Sequence, residues 1–580
     1  MAKPKQIIND PKYAVEEFVH GLLKQFPNNL VKLQNHNVLL KASRRSQVQL
    51  LSGGGSGHEP SHAGWVGEGM LTGAILGGIF ASPSVVAILG AIRCAAGTDK
   101  SDAVLLIVKN YTGDRLNFGM ACEKANLEGI DCQMVVVADD CALERSKGIT
   151  GARGVAGTVL VHKIAGAAAA IGMSLSEVSD LAKVVCSRMG TMGVALNAVT
   201  VPGASEVNDR LDESTIEIGL GIHGEAGMKK SPMLTSDEIA KELLSKIESY
   251  GRKTTDEKII PMFNSGDSLC LLVNNLGGSS NFELSILANS AVQVLEVNYG
   301  CKVTRLLVGS FMTSFNMHGA SLTVLNLTDA PSEVIECLDA ATTAPAWIPV
   351  DVAGSQTRPS DNEIPEFEEA VGSFVALNKP ELEGSFWGNP ENLIRKAATA
   401  LAEAEPILTK YDTIVGDGDC GITMKRGADK VLAGNIIMDH PVGFFASLAD
   451  AVSASMGGTS GVLLELMFSK MASRLSRDTK IGPTELANAF MDGVQAVSLY
   501  GGATVGARTM LDALFPAANE LLASGSLKEA AAKARTGANA TATMRTASAG
   551  RSNYLSESTL DGTPDPGAVA AAIVLEALWS

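Results

Sequence analysis

Residues 50–60 read Leu50-Leu51-Ser52-Gly53-Gly54-Gly55-Ser56-Gly57-His58-Glu59-Pro60. The preceding Gln47–Leu51 mixes apolar and β-compatible residues and reads as a strand. The glycines let the backbone turn sharply and approach a ligand closely. His58 and Glu59 follow at once, so one tight loop offers amides, an imidazole and a carboxylate. G-x-G-x-x-G fails in every register here, and no Gly-Lys pair occurs in the 580 residues, which excludes a P-loop. The loop alone leaves open a plain Gly-rich strand-to-helix turn.

Outward from this loop the chain alternates. Val15–Phe26 and Ser84–Ala96 read as helices, the second with Pro83 near its first turn. Ala103–Val108 is a continuous apolar run, as in a strand buried on both faces. It empties into Lys109-Asn110-Tyr111-Thr112-Gly113-Asp114. Phe118–Glu128 reads as a helix and Met134–Ala138 as another buried strand, ending at Asp139-Asp140. Such alternation implies a parallel α/β sheet, whose ligands sit beyond the carboxyl ends of the strands. Gly55–His58, Lys109–Asp114 and Asp139–Asp140 are therefore expected at one rim.

Val155–Ala170 and Ser174–Met189 continue as helices. Strands are expected at Val194–Val201, Thr215–Ile222, Ser268–Val273, Val303–Gly309 and Ser321–Leu325, with helices at Ser236–Tyr250, Phe282–Gln293 and Pro331–Ala340. The expected organisation is an α/β lobe over 1–190, a second α/β lobe over 191–345, a linker over 346–387 and an all-α domain over 388–580. The linker carries Pro349, Pro359, Pro365 and Pro380 among acidic and small residues. The last domain shows helical periodicity at Asn392–Ala404, Pro441–Met456, Pro483–Leu499, Ala507–Leu522, Leu527–Ala540 and Pro566–Leu578, and no convincing strand.

A net charge of −16 argues against a nucleic-acid binder, which needs a basic surface. The nine cysteines include no C-x-x-C and no zinc-ligand spacing, so free thiols in a reducing, cytoplasmic compartment are expected. Met1–Pro11 lacks the apolar core of a signal segment. Apolar runs such as Leu71–Phe80 are short and Gly-broken, well below the ~20 residues of a membrane span.

The strongest metal signal is Tyr411-Asp412-Thr413-Ile414-Val415-Gly416-Asp417-Gly418-Asp419-Cys420-Gly421. Asp412, Asp417 and Asp419 supply the oxygen ligands that hard divalent cations prefer, and the glycines admit phosphates. The order fails an EF-hand, and an acidic helix-capping turn stays open. Met456-Gly457-Gly458-Thr459-Ser460-Gly461 reads as a phosphate clasp or as a helix C-cap and turn. Arg508 suits a phosphate, or is a solvated side chain; Asp565 before Pro566 suits an N-cap. In the α/β part, His223 lies in Gly221-Ile222-His223-Gly224-Glu225. Its imidazole is expected at a strand end with Glu225 as an orienting partner, a satisfied turn histidine being the alternative. A base near a hydroxyl and a metal on phosphates are the parts of phosphoryl transfer. One set lies in each half of the chain.

These stretches together resemble the single-chain, ATP-dependent dihydroxyacetone kinases, in particular the eukaryotic triokinase/FMN cyclase type. Ser52–Pro60, Lys109–Asn117 and Gly219–Gly227 are similar to the family's substrate-domain motifs. Asp412–Gly421, Met456–Gly461, Arg508–Leu511 and Asp565–Ala568 are similar to its nucleotide-domain motifs. The resemblance implies that His223 holds the substrate carbonyl as a hemiaminal. It implies that Gly55, Ser56, Gly57, His58, Lys109 and Asp114 bind the triose, and that Asp114 and His58 assist deprotonation of its terminal hydroxyl. It further implies two Mg²⁺ on Asp412, Asp417 and Asp419. Asp417, Gly418, Asp419, Cys420, Thr459, Ser460, Gly501, Arg508, Thr509, Asp565, Pro566 and Gly567 would then line ATP. An eight-helix barrel and a homodimer follow from the same likeness. Glu225-Ala226 departs from the Glu-Pro of many bacterial relatives but leaves His223 in place.

Three readings compete. The first is a kinase for dihydroxyacetone and glyceraldehyde. The second, in the same chain, is an FAD-AMP lyase forming riboflavin cyclic phosphate, with Mn²⁺ or Co²⁺ as its metal; it needs the three aspartates but not His223. The third is a non-catalytic carbonyl-binding regulator. No nucleic-acid or membrane partner is expected.

Overall fold

The computed structural model describes residues 5–43, 47–145, 151–206, 210–212, 214–253, 258–348, 377–549 and 551–579. The chain divides into two compact units, Met1–Ile364 and Pro365–Ser580. Residues 349–376, most of the expected linker, lie outside the described residues. Its flanks belong to the units. Trp347 meets the rings of Trp65 and Phe311 in the first, and Trp387 packs on Phe444 in the second.

In the first unit, helix α1 (Ala14–Gln25) precedes a sheet of β1 (Leu30–Lys32), β2 (Val38–Lys41), β3 (Val48–Ser56), β4 (Gly73–Ile79), β5 (Ala103–Lys109) and β6 (Cys132–Val137). Its order is β1-β2-β4-β3-β5-β6. The four strands β4, β3, β5 and β6 are parallel, as expected, and β1 and β2 add an antiparallel edge. Helices α2 (Val85–Ala96) and α3 (Thr112–Leu127) cover one face.

Helices α4 (Thr158–Ala170) and α5 (Leu175–Ser187) cover the other face. A second sheet follows, built from β7 (Met189–Ala195), β8 (Thr215–Ile218), β9 (Lys229–Pro232), β12 (Ser268–Asn275), β13 (Lys302–Gly309) and β14 (Gly319–Asn326). Between these lie α6 (Ser236–Tyr250), the small pair β10 (Arg252–Lys253) and β11 (Ile259–Ile260), and α7 (Asn281–Gln293); α8 (Ser332–Asp339) follows β14. The second sheet runs β13-β12-β14-β7-β8-β9 and is antiparallel apart from β12 with β13.

The apolar runs are explained by burial on both faces. Leu105 and Ile107 of β5 enter one core, while Val104, Leu106 and Val108 enter another. In β12, Cys270 and Leu272 oppose Leu269, Leu271 and Val273 in the same way. Both inner faces share one core with α4, whose residues Thr158–Ala169 are all buried. A helix buried all round fits a place between two sheets.

Two expectations need correction, and one strand was not expected. The strand before the glycines does not turn at Gly53: β3 runs on through Ser56, and no α-helix follows it directly. Gly53 is required because the Ile75 carbonyl occupies the space of a Cβ there. The Gly-broken run Leu71–Phe80 contains strand β4. Strand β7 starts at Met189 and spans the expected 190/191 lobe boundary, so the expected Val194–Val201 strand is shifted toward the N-terminus.

The second unit opens with β15 (Glu381–Leu382), later paired with β16 (Lys480–Ile481), a short pair not expected. Its helices are α9 (Pro390–Glu403), α10 (Glu405–Val415), α11 (Cys420–Leu432), α12 (Pro441–Met456), α13 (Gly458–Leu475), α14 (Pro483–Gly501), α15 (Leu511–Ser524), α16 (Leu527–Ala540), α17 (Glu557–Leu560) and α18 (Pro566–Trp579). Among the described residues, eight of them close a ring in the order α11, α12, α13, α14, α15, α16, α18, α9 and back to α11. This is the expected barrel. Its interior is apolar, with a cavity of about 420 Å³ lined by Met424, Phe444, Met467, Phe468 and Leu514 among others. Helices α10, α11 and α13 were not expected, because their ends coincide with the Asp- and Gly-rich stretches read as loops.

Candidate active site

Strands β3 and β5 are parallel, with Ser52 beside Ile107, and β5 pairs Lys109 with Val137 of β6. Parallel register delivers the residues after each strand to one rim. Accordingly Lys109 Nζ and Asp114 Oδ2 both face Gly54, 3.2 and 3.3 Å from where its Cβ would stand. Lys109 is fully buried, and its ammonium has no hydrogen-bond partner among the described residues. Burial lowers its pKa, against the charges of Asp114, Glu225 and Glu59. Asp114 sits in the first turn of α3, where the helix end favours a carboxylate, and Ser82 Oγ donates to its Oδ1. The hydroxyl of Ser56 is already committed to the Gly77 carbonyl at 2.8 Å. At Gly57 (φ +114°) the Phe315 and Phe80 rings fill the space of a side chain.

His223 comes to this rim from the second sheet. Strand β8 stops at Ile218, earlier than expected, and a turn begins in which Gly221 N donates to Glu225 O and Gly224 N to Gly221 O. Arg210 Nη1 donates to Gly224 O from outside. Glu225 accepts twice from His223, at its backbone N (3.0 Å) and at Nδ1 (2.9 Å). His223 Nε2 then stands 3.0 Å from His58 Nε2. The rings of Tyr111 and Phe80 lie edge-on to it, with centroids at 4.7 and 5.0 Å.

The protons of the two imidazoles follow from their partners. A carboxylate and a carbonyl only accept. His223 Nδ1 therefore donates to Glu225, and His58 Nδ1 donates to Thr313 O at 2.8 Å. With both Nδ1 protons committed, two bare Nε2 lone pairs at 3.0 Å would repel, so one further proton lies between them. Burial, the Lys109 charge and His223 push the His58 pKa well below its ordinary value, the Thr313 bond opposing them. Burial tends to raise the Glu225 pKa, but the hydrogen bond and charge of His223 outweigh it and hold the carboxyl at about 2.

In the second unit, α10 carries Asp412 in its last turn, and the loop to α11 carries Asp417, Gly418 (φ +82°) and Asp419. Ligand oxygens of the three aspartates lie within 4.8 Å of one another. Asp412 Oδ2 accepts from the backbone N of Asp419 and of Cys420, both at 2.9 Å, which folds the loop onto the helix. Asp412 Oδ1 fills the space of a Cβ at Gly416. An all-oxygen set of this kind suits Mg²⁺. Burial and the nearby aspartates push the Cys420 thiol up to about 12, so it is inert.

The N-terminal ends of α11, α15 and α18 lie close together: Cys420 and Asp512 are within electrostatic reach of Asp565, and Gly567 approaches Met510. Partial positive charge accumulates at such ends and favours phosphate. Thr459 and Ser460 lie in the first turn of α13, and Thr509 N donates to Asp512 Oδ2 at the start of α15. Asp565, Pro566 and Gly567 form the start of α18; Asp565 Oδ1 accepts from Ala568 N at 2.7 Å, the N-cap role, while Gly567 approaches Met510. Burial raises the Asp565 pKa to about 6, with Ala568 N–H and Arg508 opposing. Arg508 is not a solvated side chain. It is buried, with Nη1 on Ser552 Oγ (3.1 Å) and Nη2 on Thr563 O (2.6 Å). Gly501 ends α14, with the Leu463 side chain 3.4 Å from where its Cβ would stand.

A Dak1 domain matches residues 20–346 and a DAK2 domain residues 414–580. The triokinase/FMN cyclase of Homo sapiens is 41% identical over 590 residues, covering 99% of this chain and 98% of its own length. The chain belongs to the single-chain dihydroxyacetone kinase family, of the triokinase/FMN cyclase type. The dihydroxyacetone kinase of Pichia angusta is 36% identical over 598 residues, covering 97% and 96%. Among solved structures, the dihydroxyacetone kinase of C. freundii in complex with AMP-PNP and Mg²⁺ matches 100% of this chain and 99% of its own, with 31% identity and a TM-score of 0.65. The operon co-activator Dha-DhaQ matches 58% of this chain and 98% of its own, with 34% identity and a TM-score of 0.52.

The sequence reading singled out His223, Glu225, His58, Lys109 and Asp114, and the structure brings them to one rim. That reading missed Thr313, Ser82, Phe80 and the contacts of Tyr111. Thr313 lies 255 positions from the histidine it orients, and no local pattern signals such a pairing.

Proposed function

We propose that this chain is an ATP-dependent kinase for dihydroxyacetone and glyceraldehyde. The observation that carries this reading is the 3.0 Å approach of His58 Nε2 to His223 Nε2 with both Nδ1 protons already committed. Such a pair is a nucleophile that carries its own acid. As a triose carbonyl enters, the proton between the rings moves to His58. The freed His223 Nε2 lone pair bonds the carbonyl carbon, and His58 passes the proton to the carbonyl oxygen. A hemiaminal results, with its positive imidazolium charge balanced by Glu225. Lys109, buried and without a hydrogen-bond partner among the described residues, offers N–H donors to the triose oxygens beside Gly55 and Ser56, while the Gly57 amide already donates to the Glu59 carboxylate at 3.0 Å and shapes the loop. Asp114 accepts the proton of the terminal hydroxyl as it attacks the terminal phosphate of ATP.

In the second unit Asp412, Asp417 and Asp419 hold Mg²⁺, which when bound neutralises phosphate charge on ATP. Thr459, Ser460, Thr509, Asp565, Pro566 and Gly567 receive the nucleotide at the helix N-termini, with Gly418, Cys420, Gly501 and Arg508 as further lining. The full-length likeness to a kinase solved with AMP-PNP and Mg²⁺ supports this. The likeness to the co-activator extends over 58% of the chain and so supports a regulator less.

The relatives named triokinase/FMN cyclase favour a second activity in the same chain, FAD-AMP lyase, with Mn²⁺ or Co²⁺ as its metal. A homodimer and a cytoplasmic location complete the reading. The described cysteines are all free thiols, and no described helix is long and apolar enough to cross a membrane.

The test is ADP release from Mg-ATP with dihydroxyacetone and no added phosphocarrier protein. Equal amounts of ADP and phosphorylated triose are expected; no triose-dependent ADP would refute the reading.

A further inference from the structure

Asp139 and Asp140 reach the rim with Lys109, yet the chemistry above uses neither. Both are buried, and both are fully engaged. Asp139 accepts from Val155 N and Gly157 N, each at 2.8 Å, and from Thr191 Oγ1 of β7 at 2.6 Å. Asp140 pairs its Oδ2 with Arg153 Nε at 2.5 Å, while its backbone N donates to Arg153 O. Arg153 is thereby held at backbone and side chain. Its guanidinium reaches the turn that carries His223: Nη2 donates to Gly219 O at 2.9 Å. Arg153 Nη1 and Glu225 Oε2 both press into the space that a side chain at Gly221 would occupy. A buried positive charge thus stands behind the carboxylate that orients His223.

We propose that Arg153, braced by Asp140, is a positioning residue that acts through Glu225 to fix the His223 ring for addition to the substrate carbonyl. The inference rests on the proposed role of His223. A planar fork with several donors suits this place, because one arm holds Asp140, one holds the Gly219 carbonyl and one faces Glu225. Lys could meet only part of that set.

The test uses the full chain with Arg153→Met and Arg153→Lys, each alone and in a His223→Ala background. R153M is expected to raise KM for dihydroxyacetone about tenfold with kcat changed less than about threefold, and R153K to recover part of the loss. In the H223A background R153M should change KM less than about twofold, since residues acting as a unit are non-additive. An equal effect in both backgrounds, or an unchanged KM, overturns the proposal. If R153M does not fold, R153K and Asp140→Asn carry the same comparison.

A second readout is independent of turnover. The chain has eight histidines, so labelling with ¹⁵N-histidine gives a readable set of imidazole resonances. The Nδ1 proton of His223 should broaden or shift in R153M, and an unmoved resonance overturns the proposal. A wild-type chain without triose-dependent turnover refutes the functional reading instead, and the resonance then decides the role of Arg153.

Discussion

His58 Nε2 and His223 Nε2 stand 3.0 Å apart, although 165 positions separate them in the chain. His58 arrives at the end of a parallel strand of the first sheet, and His223 on a turn of the second. Thr313 and Glu225 fix the outer nitrogen of each ring, so the inner nitrogens have one arrangement open to them. The first unit's two sheets meet chemically at this contact.

Removing the orienting carboxylate should loosen that arrangement. Glu225→Ala is expected to lower kcat/KM for dihydroxyacetone by roughly 10–100-fold, the worth of a hydrogen bond to a charged group. Glu225→Gln keeps an acceptor and should lose less. Steady-state kinetics over a range of triose concentrations checks both, and equal losses would point to a role for charge alone.

The metal assignment makes a sharper demand. Asp417→Ala should abolish ATP turnover and any FAD cleavage while leaving dihydroxyacetone binding unchanged by calorimetry. Retained turnover would remove the aspartate trio from the mechanism.

Asp565 gives a pH-dependent prediction. Its folded pKa, about 6, lies above its ordinary 3.8. Its contribution to stability is therefore fully present below the ordinary value and lost as pH rises through about 6. Above that pH the folded chain holds a buried carboxylate at a cost. Without nucleotide or metal, Asp565→Asn should raise the melting temperature of the full chain at pH 8 by about 3–6 °C. The gain should shrink toward pH 5, where wild-type Asp565 is already neutral. A gain that does not change with pH would assign it to something other than this ionisation.

Much of this was legible in the sequence, for reasons that differ by residue. The run Ala103–Val108 disclosed a two-sided strand because alternate residues face two cores. The grouping of Asp412, Asp417 and Asp419 was legible because the three are close in sequence, and their ligand oxygens lie within 4.8 Å of one another. Gly53 misled: its glycine serves the close approach of a neighbouring strand, not a turn, and the two leave the same trace in sequence. Strand β4 was hidden for a related reason, since Gly73, Gly77 and Gly78 dilute its apolar pattern. Arg153 and Thr313 carried no signal, because their importance lies wholly in long-range contacts.

The strand reading of Gly53 is itself testable. Gly53→Ala places a methyl group on the Ile75 carbonyl, so β3 and β4 must part. A destabilisation of roughly 1–3 kcal/mol is expected, as for other overpacked interiors, read as a lower melting temperature. An unchanged melt would mean that β3 and β4 relax freely at this point.

The most direct test compares wild type, His223→Ala and Asp417→Ala in two assays on the same samples: ADP release from Mg-ATP with dihydroxyacetone, and FAD cleavage with Mn²⁺. The account predicts that H223A loses triose phosphorylation at low dihydroxyacetone but keeps the FAD cleavage shown by wild type, while D417A loses both. Undiminished triose phosphorylation by H223A would contradict the account at its centre.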